Sequence, residues 1–151
     1  MKKYTLKEIS ENPKLQEVSG HCDYAGDGKY VIDMSPHSYV NHSCDPNTYS
    51  EFENFDEVDL IALRDIKKGE EITYDVVLCA VDQLDSGHPK KGIYYWRIKC
   101  FCGGKNCRKI IHGDFFKMPK KYQRENLKYL PTFVKRRFKD KLKRLRCVLK
   151  K

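Results

Sequence analysis

Apolar and polar residues alternate in short runs over most of the chain and change to a helical rhythm only near its end. Residues 39–41, 48–52, 58–63 and 72–74 are β-prone, and turn signals separate them at Asp45-Pro46-Asn47, Asn54-Phe55-Asp56 and Lys67-Lys68-Gly69. Two further runs, 21–24 and 29–33, flank Ala25-Gly26-Asp27-Gly28, where Asp-Gly predicts a hairpin. Gly26 and Gly28 read as turn residues and not as a Gly-x-Gly cofactor loop, because no helical pattern follows them. Thr5-Leu6-Lys7-Glu8 is a capping box, predicting a short helix that fails near Pro13. Residues 82–92, with Asp85-Ser86-Gly87-His88-Pro89, predict a loop. Past residue 119 the apolar positions are Leu127, Leu130, Val134, Phe138, Leu142, Leu145 and Leu149. Steps of three and four predict helices over 119–129 and 132–149, with Pro131 suiting the first turn of the second. Many short strands followed by helices make an α+β chain that is mostly β.

Composition sharpens this picture at one place. The chain has 151 residues, 40% hydrophobic and 34% charged, which suits one domain with a modest core. Its net charge of +9 is segregated. Residues 120–151 carry 14 Lys and Arg against Glu125 and Asp140, a net of +12, whereas the rest carries 16 against 19, a net of −3. A slightly acidic body thus bears a basic helical tail. Its apolar stripe predicts packing on the body, and its cations predict contact with a polyanion or nucleic acid. No apolar run is long enough for a membrane-spanning helix, and no apolar segment follows the first basic residues as a signal peptide requires.

Seven cysteines, an odd number without a signal peptide, argue against a disulfide framework and for a reducing, intracellular compartment. Three of them form Cys100-x-Cys102-x4-Cys107 around Gly103-Gly104. Thiolates at that spacing on a glycine-bearing loop can converge on one zinc, or they are three surface thiols; Cys44 is a candidate fourth ligand. His21, His37, His88 and His112 show no ligand spacing and read as surface or packing residues. Glu70/Glu71 and Asp56/Glu57/Asp59 read as solvated acids and not as acid–base pairs. Cys79 and Cys147 read as ordinary thiols, and Cys22 has no partner that the pattern names.

Three motifs carry a family resemblance. Tyr39-Val40-Asn41-His42-Ser43-Cys44-Asp45-Pro46-Asn47 resembles the Asn-His-Ser-Cys-x-Pro-Asn signature of SET-domain protein-lysine methyltransferases. Gly69-Glu70-Glu71-Ile72-Thr73-Tyr74-Asp75 is similar to that family's second signature, and Cys100, Cys102 and Cys107 are similar to its post-SET cluster. The motifs span about residues 20–112, and the likeness extends more weakly to about 138. The resemblance implies a SET-like β-fold with a pseudoknot, a post-SET zinc loop and C-terminal helices. It divides the chain into a SET-like domain at 1–97, a zinc loop at 98–113 and a basic helical tail at 114–151.

The resemblance also implies roles. S-adenosyl-L-methionine is the expected cofactor, with Tyr39, Asn41, His42 and Tyr74 beside it. Structural Zn2+ is expected on Cys44, Cys100, Cys102 and Cys107. The expected substrate is an exposed lysine of a protein, such as a histone or another basic protein. Where the family places its catalytic tyrosine this sequence has Val76, so Tyr74, on the same face of a strand two residues earlier, becomes the candidate catalytic hydroxyl. Tyr94, Tyr95 and Trp96 read as packing residues. No Gly-x-Gly segment is found in residues 1–20, which predicts a chain short at its amino end, with strand edges that favour a homo-oligomer or a partner chain. The alternative is a catalytically inactive, zinc-stabilised interaction module whose basic tail binds nucleic acid or an acidic partner.

Overall fold

Thr5 caps the first helix as its sequence predicts. In the computed structural model, helix α1 (Leu6–Glu11) begins with Glu8 N donating to Thr5 Oγ1 at 3.2 Å and Thr5 N donating to Glu8 Oε2 at 2.6 Å. It stops before Pro13, which opens α2 (Pro13–Glu17) in the turn where its missing N–H costs nothing. The structure describes residues 1–26, 28–54, 56–80 and 97–149. The expected loop at 82–92 with His88, the turn residues Asp27 and Phe55, the residues Tyr94, Tyr95 and Trp96, and the side chain of Leu149 lie outside the described residues.

Strands β2 (Cys22–Gly26) and β3 (Lys29–Ile32) pair antiparallel, as the turn signal predicts, and β1 (Tyr4–Thr5) adds to the far edge of β3. Tyr24 and Tyr30 meet edge to face at 5.1 Å over Ile9. Gly26 is required at the end of β2 for two reasons. Its φ is +90°, and a Cβ there would stand 2.7 Å from Arg137 Nη1. Strands β5 (Thr48–Asn54) and β6 (Glu57–Ala62) form a second antiparallel pair, with Thr48, Ser50 and Phe52 buried at alternate positions. Asn41–His42 (β4) and Thr73–Tyr74 (β7) pair in parallel, and Arg97–Lys99 (β8) pairs antiparallel with Ile110–His112 (β9).

The basic end of the chain is as much core as surface. Leu130, Val134, Leu142 and Leu145 are buried against Phe52, Leu78 and Phe115, with Leu127 and Phe138 packed at the margin. Each fully buried side chain of this kind stabilises the fold by about 1.5–3 kcal/mol, so the predicted stripe anchors the helices. The helices are more broken than predicted. Helix α4 (Lys120–Asn126) ends in a 3-10 turn at Leu127–Tyr129, and the second expected helix divides into α5 (Thr132–Arg137) and α6 (Lys139–Leu149). Phe138 leaves helical geometry between them, at φ −111° and ψ 26°, and turns its ring onto Phe116 at 6.0 Å. The expected strand at 39–41 survives only at Asn41, because Pro36 opens a 3-10 turn that runs to Tyr39.

Candidate functional site

Parallel strands cannot be joined by a tight hairpin, so the pairing of β4 with β7 needs a long excursion between them, which β5 and β6 supply. His42 lies opposite Tyr74, and Ser43 N donates to Tyr74 O at 3.0 Å. Asn47, 2% exposed, holds the junction: its Nδ2 donates to Glu71 O at 2.8 Å and its Oδ1 accepts from Thr73 N at 2.9 Å. The acids expected to face water have structural partners here. Glu71 Oε1 accepts from Asn41 Nδ2 at 2.7 Å, and Glu70 is paired with Arg64, whose guanidinium holds that carboxyl well below the usual range. Beside β4 lies a cleft of about 380 Å³. Asn41, His42 and Glu71 line one side, and Ile98, Phe101 and Cys102 the other.

The far wall of the cleft is built on cysteines. The Sγ atoms of Cys44, Cys100, Cys102 and Cys107 all lie within 4.8 Å of one another, and Cys44 Sγ stands 3.7 Å from Cys100 Sγ. Four sulfurs about 2.3 Å from a tetrahedral zinc stand about 3.8 Å apart, so the donor set fits that ion in number, chemistry and spacing. Gly103, at φ +69°, makes the turn between the second and third of the later cysteines. Burial pushes the Cys44 thiol up to about 12, whereas the Cys44 N–H directed at Cys102 Sγ at 3.5 Å pulls that thiol down to about 6. Cys44 Sγ also receives Arg108 N at 3.3 Å and faces His42 Nε2 at 3.3 Å. Since His42 Nδ1 accepts from Val76 N at 3.3 Å, Nε2 carries the proton and donates to the sulfur. Two N–H groups thus converge on one sulfur, the arrangement that steadies a ligating thiolate. None of the seven cysteines is joined to another in a disulfide.

Residues 4–75 match the SET domain family. The chain carries a SET domain. It is also 37% identical to histone-lysine N-methyltransferase SUV39H1-A of Danio rerio over 135 residues, covering 71% of this chain and 32% of that protein. Over 91 residues it is 40% identical to histone-lysine N-methyltransferase 2D of Homo sapiens, covering 56% of this chain and 1% of that protein. Over 93 residues it is 36% identical to the H3 lysine-9 specific histone-lysine N-methyltransferase KMT1 of Fusarium mangiferae, covering 56% of this chain and 25% of that protein. The chain spans a third or less of the length of these curated relatives. The SET match reaches back to residue 4, so β1, α1 and the β2–β3 hairpin belong to the domain, although the motifs begin to carry the resemblance only near residue 20.

Within the SET domain the predicted residues are not all in one place. Asn41 and His42 line the cleft, and the four cysteines converge; Tyr39 and Tyr74 lie outside its lining. Tyr39 is 60% exposed, with its ring 4.7 Å from His21. Tyr74 is half-buried with its ring 5.1 Å from that of His37, and burial raises its phenol above the ordinary value. The expectation that residues 74 and 76 share a strand face fails. Strand β7 stops at Tyr74, and Asp75 caps α3 (Val76–Cys79) by accepting from Val77 N at 3.1 Å. Val76 instead packs with the cysteine cluster.

Two residues that the motifs did not name complete the SET domain's connection to the cysteines. Asp75, 3% exposed, accepts from Arg108 Nη1 at 2.6 Å and Nη2 at 2.7 Å, and from Tyr122 Oη at 2.7 Å. The Arg108 guanidinium lies 4.9 Å from the centre of the Tyr122 ring. Arg108 directly follows a cysteine of the cluster and Tyr122 lies on α4, so one carboxylate ties the Gly-Glu-Glu motif to the cysteine loop and the basic helices. No spacing rule would have found this trio; a lone Asp, Arg and Tyr far apart in sequence carry no periodic signal. His37, read as a packing residue, does pack, with Nε2 hydrogen-bonded to Ser50 Oγ at 3.0 Å.

Proposed function

We propose that this chain is an S-adenosylmethionine-dependent protein-lysine N-methyltransferase with a structural zinc. One observation carries the reading: the Asn41–His42 strand of the SET domain forms one wall of a 380 Å³ cleft, and residues 98–102, which carry two of the four converging cysteines, form the other. That volume and its few convergent polar groups suit a nucleoside-sized ligand. S-adenosylmethionine supplies an activated methyl group on a sulfonium when bound. Asn41 and His42 would hold it, and Phe101, 79% exposed at the cleft wall, offers an aromatic face to a base. Zinc on Cys44, Cys100, Cys102 and Cys107 would keep Phe101 and Ile98 in place, and it takes no part in the chemistry.

The acceptor is a protein lysine, of a histone or another basic protein in line with the relatives' names. A free lysine amine has a pKa near ~10.4, so it must lose a proton and be aimed before it can accept a methyl group. Tyr74 is the candidate hydroxyl. Burial favours its neutral form, so at neutral pH it can orient an amine by hydrogen bonding and cannot act as a phenolate base. The names of the relatives, histone-lysine N-methyltransferases, support an intracellular site of action.

Val76 favours a second reading. It offers no hydroxyl where the family has one, and it is packed into the cysteine cluster, which suits an inactive module stabilised by zinc. Calorimetric titration of the zinc-loaded protein with S-adenosylmethionine tests the first reading: saturable one-site binding supports it, and a folded, zinc-containing protein that takes up none defeats it. Val76→Tyr then separates the two. A rise in transfer to lysine-containing protein identifies Val76 as the defect; no gain with the cofactor still bound excludes that explanation.

A further inference from the structure

The helices that complete the core turn a row of cations to solvent, and these are not all used inside the molecule. Lys135 is paired with Glu51 at 3.6 Å, Arg136 is paired with Glu53, and the Arg137 guanidinium lies against Gly26. Lys141 sits 4.3 Å from the centre of the Phe116 ring. Lys120, Lys121, Arg124, Lys139, Lys143, Arg144 and Arg146 are exposed and meet no carboxylate within ion-pair distance among the described residues. Lys128 is exposed as well, with its ammonium 4.6 Å from the centre of the Tyr129 ring.

These cations are held in a shape, and that separates them from an ordinary solvated charge run. Leu142 and Leu145 pin α6 by its apolar side, and Leu130 and Val134 pin the approach to α5 and α5 itself. Between α4 and α6 this leaves a depression of about 600 Å³ lined by Arg124, Leu127, Lys128, Lys135 and Arg146, with Glu125 as its acid. Cations fixed on separate helices around a concavity repel one another at no gain to folding. They gain when an extended chain of negative charges lies across them and releases its counterions.

We propose that this depression and the adjoining face of α6 are a docking surface for the phosphodiester backbone of nucleic acid. Recognition is of phosphates, without base readout, because the lining offers four cations, one leucine and Glu125, and no side-chain amide to read a base edge. The surface lies outside the cofactor cleft, whose lining shares no residue with it, so it stands whether or not the chain transfers methyl groups. In a methyltransferase it would place the cleft beside proteins that ride on nucleic acid.

Removing residues 120–151 would not test this, since that segment carries the core residues Leu130, Val134, Leu142 and Leu145. The test is fluorescence anisotropy of the full chain with a 20-base-pair DNA duplex, a matched RNA duplex and polyglutamate, from 50 to 300 mM salt. The triple variant Arg124→Gln/Lys128→Gln/Arg146→Gln changes exposed residues only. If each cation meets one phosphate, the slope of log K against log salt becomes shallower by about 2–3 with DNA. Glu125→Gln tightens binding. A control, Lys7→Gln/Lys14→Gln, removes exposed charge from α1 and α2 and leaves the slope nearly unchanged. A duplex slope untouched by the triple variant overturns the proposal, as does an equal loss in the control. Polyglutamate bound as tightly as either duplex overturns it in favour of an acidic protein partner. The DNA and RNA arms distinguish which source of phosphate is preferred.

Discussion

Arg108→Ala should be among the most damaging single changes in this protein, and its cost follows from the surroundings of Asp75. The carboxylate is 3% exposed and accepts two hydrogen bonds from the guanidinium, one from Tyr122 Oη and one from Val77 N. Truncating the arginine leaves a buried charge with two neutral donors. Breaking a buried ion pair from one side costs about 3–5 kcal/mol, and the side chain of Arg108 is 16% exposed, so partial access of water places the expectation near the lower end, at about 3 kcal/mol. For a chain of this length that corresponds to roughly 6–12 °C in melting temperature. The assay is thermal unfolding of the zinc-loaded protein followed by circular dichroism. Arg108→Lys keeps the charge but loses the fork, and it should recover only part of the loss. The double variant Arg108→Ala/Asp75→Asn removes the uncompensated charge and should be more stable than Arg108→Ala alone. If Arg108→Ala melts within about 2 °C of the parent, or the double variant is the less stable of the two, then the carboxylate is not held as described and the reasoning is wrong.

Zinc-loaded protein should contain one equivalent of zinc by elemental analysis, and Cys44→Ser should lose it together with much of the stability; a metal-free chain that melts at the same temperature as the loaded one would contradict the four-cysteine assignment. Leu130→Ala, at a site with no solvent exposure, should cost about 2–5 kcal/mol in chemical denaturation, and a cost below about 1 kcal/mol would mean that the C-terminal helices pack only loosely. His37 should make stability fall in mild acid. Burial holds its imidazole below the ordinary 6.5, against the opposing pull of Asp33, so the folded state binds fewer protons than the unfolded chain. The stability tied to its neutral form is full above about pH 6.5 and is lost as the pH falls towards the folded value. His37→Gln should flatten that part of the profile, and parallel profiles for parent and variant from pH 5 to 8 would exclude the effect.

Local chemistry was legible wherever neighbours in sequence decide the outcome. Thr5 and Glu8 cap a helix three residues apart, Pro13 ends it, and the glycines at 26 and 28 allow a tight return, all without help from distant residues. The stripe from Leu127 to Leu145 announced its burial through spacing alone. The motifs named Asn41 and His42, which line one cleft, and the four cysteines, which converge, because a metal site or a cofactor contact would demand particular residue types at particular steps. Tertiary structure decided what depends on partners remote in the chain. Residues 74 and 76 cannot share a strand face, since Asp75 turns the backbone into a helix while its carboxylate reaches across to Arg108 and Tyr122. The break at Phe138 answers to the Phe116 ring and not to a proline or glycine. Which cations remain for a ligand depends on where Glu51 and Glu53 arrive from a separate hairpin. Such choices are set by burial and by charge compensation between elements that only folding brings together, and those energies leave no mark on the spacing of residues along the chain.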